Sequence, residues 1–178
     1  MIYLFLADGF EELEAIAPLD ILRRAGVEVR TVGIHGKTAT GSHGIAVTCD
    51  ITIEKADAQA CAGVILPGGP GHVMLAESFA VLNLLRVAAE RGALLAAICA
   101  APGILGQNGY LRGRKACCYP GYEDKLTGAQ VCYDPIVIDG NVITSRGAGT
   151  AVAFGLALVE YLVSPEKARE IAAQIQCV

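Results

Sequence analysis

Three short segments hold residue types that can carry covalent and proton chemistry. The first is Ala97-Ile98-Cys99-Ala100-Ala101. Small residues stand two positions either side of Cys99, as a sharp strand-to-helix turn requires when it lifts a nucleophile into the open. At a helix N-terminus, the free N–H groups and the dipole would favour a thiolate there. The Ala100 N–H would point to where an oxyanion forms during attack on a carbonyl. The same residues also read as a buried, inert cysteine, the common fate of a free thiol. The second segment is Leu66-Pro67-Gly68-Gly69-Pro70-Gly71. Its Gly68-Gly69 pair permits positive φ and close backbone approach, and the Gly69 N–H could be a second oxyanion donor. A plain turn between strand and helix accounts for it as well. The third is Asp8-Gly9-Phe10-Glu11-Glu12-Leu13-Glu14. Asp8 and Glu11 read as a capping pair. Glu14 lies between Leu13 and the Ala15-Ile16-Ala17 stretch, and Pro18 cannot donate to its carbonyl, so the helix is expected to be irregular at this glutamate. A partly buried carboxyl beside a cysteine would have a raised pKa and could shuttle protons. A solvated helix-face glutamate is the alternative.

These residues need a frame. The hydrophobic pattern predicts buried strands at Ile2–Leu6, Val27–Gly33, Gly63–Leu66 and Ala93–Ile98, with short strands at Lys115–Tyr119, Gln130–Cys132, Ile136–Ile138 and Val142–Thr144. Helices are expected at Glu11–Ala25, Ser78–Arg91, Ala101–Gln107, Thr150–Leu162 and Pro165–Gln174, and a hairpin or edge ribbon at Lys37–Cys49. Near-continuous apolar strands alternating with helices mean an α/β fold, a mostly parallel sheet covered on both faces. Ligands then sit beyond the carboxyl ends of the strands, where all three segments fall.

Composition narrows the class. The chain has 178 residues, 53% hydrophobic and 18% charged, which fits one domain over residues 1–178 with a sizeable core and excludes disorder. Its longest uncharged run, Gly92 to Leu111, is long enough to span a bilayer, but Pro102, Gly103, Gly106 and Gly109 would break a lipid-facing helix. Met1 to Ala7 is too short and wrongly flanked for a signal peptide. With 14 basic and 18 acidic residues there is no basic stripe for a nucleic-acid groove. Seven cysteines without a C-x-x-C, and three histidines apart from them, give no zinc pattern and fit reduced thiols in a cytoplasmic protein.

Together with Leu19-Asp20-Ile21-Leu22-Arg23-Arg24-Ala25-Gly26, Ser42-His43-Gly44 and the Thr144–Thr150 loop, these segments resemble the ThiJ/PfpI superfamily along essentially the whole chain. The resemblance is greatest to its Parkinson-disease-protein branch, whose members are described as deglycases, glyoxalases and oxidative-stress proteins. It implies a flavodoxin-like three-layer sandwich and a homodimer. It implies that Cys99 is the reactive, easily oxidised nucleophile and Glu14 its carboxyl partner, with the Gly69 and Ala100 N–H groups as the oxyanion site. Gly68 would support the pocket, Arg24 would lie near the dimer interface, and Arg146 would brace the loop by the site; His43 reads as lining the ribbon near the pocket or ordering its loop. Neither a cofactor nor a metal is implied.

Two departures bear on mechanism. Protease-like relatives place a histidine directly after the cysteine, where this chain has Ala100. Some members of the branch place one before a proline near the cysteine, where this chain has Tyr119-Pro120. Glu14 must then carry the proton work. Relatives often have Gly-Pro-Gly after the arginine, and this chain has Gly147-Ala148-Gly149. The expected function is a cofactor-free cysteine enzyme acting on small reactive carbonyls, glyoxal or methylglyoxal or their adducts. The rival is an oxidative-stress sensor or chaperone in which Cys99 stops at sulfinate. A glutamine amidotransferase would need a later His-x-Glu, and no histidine follows His72. His72 reads as a surface turn residue, and Cys118 as a packing thiol, or as a second redox thiol on a strand that could end close to Cys99.

Overall fold

A computed structural model describes residues 1–177. Along the chain run β1 (Ile2–Leu6), α1 (Glu12–Arg24), β2 (Val29–Gly33), β3 (Thr38–Thr40), β4 (Ala46–Thr48), β5 (Ile51–Thr52) and β6 (Gly63–Leu66). Then come α2 (His72–Glu77), α3 (Phe79–Glu90), β7 (Leu94–Ile98), α4 (Pro102–Gln107), β8 (Lys115–Ala116) and β9 (Gln130–Val131). The chain continues through β10 (Ile136–Asp139), β11 (Val142–Ser145), α5 (Ala151–Leu162) and α6 (Pro165–Gln174). Seven strands form one sheet in the order β10-β11-β7-β6-β1-β2-β5. All its pairings are parallel except β10 against β11. The expected parallel sheet with helices on both faces is what the chain builds.

Strand residues alternate between two cores because successive side chains point to opposite faces. Leu4, Leu6, Ile65, Ala96 and Ile98 pack with Leu22, Phe154 and Leu158 of α1 and α5. Tyr3, Phe5, Val64, Leu66 and Ala97 pack with Leu75, Leu85 and Ile104 of α2, α3 and α4. The run from Gly92 to Leu111 is thus an interior strand, a turn and a one-turn helix. Among the described residues, no helix is long and apolar enough to cross a membrane.

Helix α1 is continuous through Pro18, contrary to the expected irregularity. The lost hydrogen bond is offset by packing: Gly155 of α5 comes so close that a Cβ there would lie 3.0 Å from Pro18 Cα and 2.8 Å from Ile21 Cδ1. The expected cap is absent too. Glu11 is the N-cap and makes no side-chain cap bond, while Asp8 Oδ1 accepts from the Thr40 N–H at 2.8 Å and ties the β1 end to the hairpin. The strand expected at Lys115–Tyr119 stops at Ala116. The Cys117 N–H goes instead to Thr144 Oγ1 (3.0 Å) and the Tyr119 N–H to the Cys99 carbonyl (2.8 Å). Helix α2 and the two-residue β5 are too short for a periodicity signal.

Candidate active site

Cys99 is the first residue after β7 and has φ +66°, the left-handed region that side chains other than glycine rarely adopt. The turn is held from both sides: the Cys99 N–H donates to the Ser145 carbonyl at 2.9 Å, and its carbonyl accepts from the Tyr119 N–H. Ala97 and Ala101 are fully buried beneath it, which is why larger residues do not fit there. Backbone strain of this kind is sustained only by a surrounding structure that over-determines it. The turn therefore has the geometry of a nucleophile elbow.

Glu14 reaches this sulfur from α1. It is 1% exposed, accepts the Gly68 N–H on Oε2 at 2.9 Å, and lies beside Cys99, so that a Cβ on Gly68 would stand 2.7 Å from Oε2 and 3.1 Å from the sulfur. Burial pushes its carboxyl up to about 7, against bonds from Cys99 and Gly68 that favour the charged form. The helix-face alternative for Glu14 is thus excluded. The Cys99 thiol is pushed up to about 12 by burial and by the Glu14 carboxylate, although the Gly69 and Ala100 N–H groups point at the sulfur and pull the other way. This corrects the expectation of a thiolate favoured by a helix terminus. α4 begins three residues later, and burial beside a carboxylate outweighs the dipole. Thiol and carboxyl titrate as a pair, so a thiolate arises when its proton passes to Glu14.

The diglycine makes room for this pair. A Cβ on Gly68 would lie 2.7 Å from both Cys99 Cβ and Glu14 Oε2. Gly69 has φ +79°, and a Cβ there would meet the Glu11 nitrogen at 2.5 Å. The sulfur opens onto a cavity of about 470 Å³ lined by Gly69, Pro70, His72, Cys99, Tyr119 and Tyr122, with Val73 and Ala100. Tyr119 also borders a neighbouring hollow with Arg146, whose guanidinium donates to the Tyr133 carbonyl (3.2 Å) and lies over the Tyr133 ring. Arg146 thus braces the loop beside the site, at one remove from the sulfur.

Two expected residues stand apart. Arg24 is exposed, pairs with Asp20 at 2.7 Å, and borders a separate cavity of about 610 Å³ between α1, α5 and α6, which neither Cys99 nor Glu14 lines. His43 is exposed and outside the Cys99 cavity. It orders its loop, with Nδ1 3.0 Å from a Glu12 oxygen and its N–H donating to Glu12 at 2.7 Å. Burial alone would raise the Glu12 carboxyl, but the bonds from His43 and Ile45 hold it down at about 2. Glu12 therefore latches the loop between β3 and β4, a role its position in the first turn did not reveal. Glu11, Glu12 and His43 lie close enough to share a cation, but their polar atoms are bonded to one another and to Ser42. Cys118 is 4% exposed and packs into the core, its thiol pushed up to about 12 by burial, so it is not an accessible second redox thiol. His72, set aside as a surface turn residue, lies in the cavity wall. Its signal was the spacing of three residues after Gly69, which a single helical turn folds back over the diglycine.

Comparison with known proteins agrees with this geometry. The chain is 36% identical over 163 residues to the glutathione-independent glyoxalase DJR-1.2 of Caenorhabditis elegans, covering 90% of this chain and 87% of that one. It is 38% identical over 148 residues to a deglycase of Pyrococcus horikoshii, covering 80% and 88%. Oxidized DJ-1 of Toxoplasma gondii superimposes with a TM-score of 0.94 at 32% identity, covering 98% and 97%. The DJ-1/PfpI family model matches residues 1–161. With an elbow cysteine, a buried glutamate against it and this match over most of its length, the chain belongs to the DJ-1/PfpI family.

Proposed function

We propose that the chain is a cofactor-independent cysteine enzyme that converts glyoxal or methylglyoxal, free or as early adducts, to the hydroxy acid. The observation that carries this reading is the buried Glu14 carboxyl set beside Cys99 behind Gly68, where burial raises its pKa to about 7 and lets it both take and return a proton at neutral pH. Relatives named glyoxalase and deglycase support the substrate class. Cys99 sulfur attacks the aldehyde carbon while its proton passes to Glu14. The oxygen of the new hemithioacetal lies against the Gly69 and Ala100 N–H groups and takes the proton. The Glu14 carboxylate then removes the hydrogen on that carbon while the hydroxyl proton passes to the neighbouring ketone oxygen, giving an enediolate, and Glu14 returns the hydrogen to the adjacent carbon, leaving an α-hydroxy thioester on Cys99. Water releases the acid and restores the thiol. Methylglyoxal and water become lactate with no external oxidant or reductant. The test is lactate formation by wild type, Cys99→Ser and Glu14→Gln; equal rates in all three would end the proposal.

A second reading has its own support. The same Glu14 carboxyl can hydrogen-bond an oxidised sulfur, and a structural relative was solved in an oxidised form. Mild peroxide followed by mass spectrometry separates the readings: two oxygens added at Cys99 without carbonyl turnover favour a sensor. A homodimer belongs to either reading, and the exposed apolar side chains of Leu13 and Ile16 on α1 and of Ile45 support it.

A further inference from the structure

The last step of the proposed reaction needs a base that water can reach, and Glu14 does not meet that need. Glu14 has Oε2 committed to the Gly68 N–H and reaches atoms bonded to the Cys99 sulfur, but it is buried and does not line the cavity through which water arrives. His72 does line it, beside Cys99, Gly69 and Ala100. It also lines a smaller adjoining cavity of about 190 Å³ bordered by Glu77, Gln107 and Lys125, a polar approach for water.

The state of the imidazole follows from its bonds. Nδ1 is 2.8 Å from the Gly69 carbonyl oxygen, which also accepts the His72 backbone N–H at 3.1 Å. A carbonyl oxygen only accepts, so Nδ1 carries the hydrogen, and the neutral ring keeps a free lone pair on Nε2. Tyr122 packs edge-on against the ring, with centroids 5.5 Å apart at 77°. One nitrogen is thus committed to an orienting acceptor, and the other is left as a base, the arrangement by which a histidine activates a nucleophile.

We propose that His72 Nε2 is the general base for release of the acyl group from Cys99, an inference that rests on the carbonyl-enzyme reading above. A water oxygen attacks the thioester carbon while one water proton moves to Nε2. The carbonyl oxygen becomes an oxyanion against Gly69 and Ala100 N–H. The carbon–sulfur bond then breaks, the acid leaves, and the sulfur recovers a proton from His72. His72 supplies from the diglycine side the imidazole that Ala100 and Tyr119 do not.

The test uses His72→Asn, which retains a donor near the place of Nδ1 but has no base at the place of Nε2, together with His72→Ala. Each is mixed with methylglyoxal, quenched over time and weighed as intact protein. Thioester formation should keep its wild-type rate. Steady lactate production should fall about 10²–10⁴-fold, and Cys99 carrying one lactoyl group should accumulate in both variants, with free imidazole speeding its release in His72→Ala. Wild-type turnover in His72→Asn, or slow turnover with no acylated Cys99, would overturn the assignment. If the wild type itself makes no lactate, the carbonyl reading fails first. If the wild type makes lactate and His72→Asn matches it, only the role of His72 fails.

Discussion

Glu14→Gln keeps the shape of the buried carboxyl and removes its charge, so it separates what this residue costs from what it does. In the folded chain the carboxyl ionises near 7 rather than at the usual 4.5, because burial penalises the anion. The folded state therefore binds this proton more tightly than the unfolded chain does. The stability so gained is complete below about 4.5 and is lost as pH rises through about 7. A tenfold change in proton affinity is about 1.4 kcal/mol, so ionised Glu14 costs the folded state on the order of 3 kcal/mol. Glutamine cannot ionise, and its carbonyl can still accept the Gly68 N–H that Oε2 accepts at 2.9 Å. The variant should therefore melt roughly 6–12 °C above wild type at about pH 8, for a chain of this size. The advantage should shrink to nothing near about pH 4.5, where both side chains are neutral. Lactate formation should fall by at least about 100-fold at every pH. Thermal unfolding followed by circular dichroism across this range, with a lactate assay beside it, measures both. A melting difference that does not change with pH would refute the reasoning, because the carboxyl would then carry the same charge in folded and unfolded states.

Four further outcomes are expected. Wild-type activity should rise as pH passes through about 7, since the steps that take a proton need the Glu14 carboxylate; a flat rate profile would contradict this. Gly68→Ala puts a methyl 2.7 Å from Cys99 Cβ and Glu14 Oε2, and should lower kcat/KM about 100-fold while the fold persists. Glu12→Gln should speed amide exchange at His43 and Ile45, whose N–H groups the carboxylate accepts, and leave carbonyl turnover unchanged; in wild type the latch should hold above about 4.5 and weaken only as pH falls towards about 2. The proposed dimer should appear in size-exclusion chromatography with light scattering and be lost in Leu13→Glu with Ile16→Glu, because both replaced side chains are exposed apolar groups on α1.

The sequence was most informative where a residue type had a single physical use. Apolar runs such as Ile2–Leu6 and Ala93–Ile98 read as interior strands, and the small residues around Cys99 as a crowded turn, with an inert buried cysteine the alternative. It was least informative where the partner lay far along the chain. Asp8 reads as half of a capping pair and Glu12 falls in the first turn of α1, yet one binds the Thr40 N–H and the other the His43 loop, about thirty positions away. A capping signal and a tertiary latch use the same residues, and spacing alone does not tell them apart. The Cys99 proton was misjudged for a similar reason: the dipole is a local feature, while burial and the Glu14 charge come from elements distant in sequence. His72 reads as a turn residue because the six-residue α2 that carries it leaves no periodic trace.

The contact at Gly155 has a consequence for how such proteins diverge. It seats α5 directly on Pro18 and Ile21, one to two turns along the helix that carries Glu14. A methyl at that glycine would have to push α1 aside, and a hydrogen bond weakens steeply when its geometry slips. The carboxyl could lose its hold on the sulfur with every residue around the cavity unchanged. Two chains with identical pocket residues can therefore differ in proton transfer, and a likeness confined to the surroundings of the cysteine would miss the difference. The relevant position lies one to two turns along the same face of α1, where one helix rests against another.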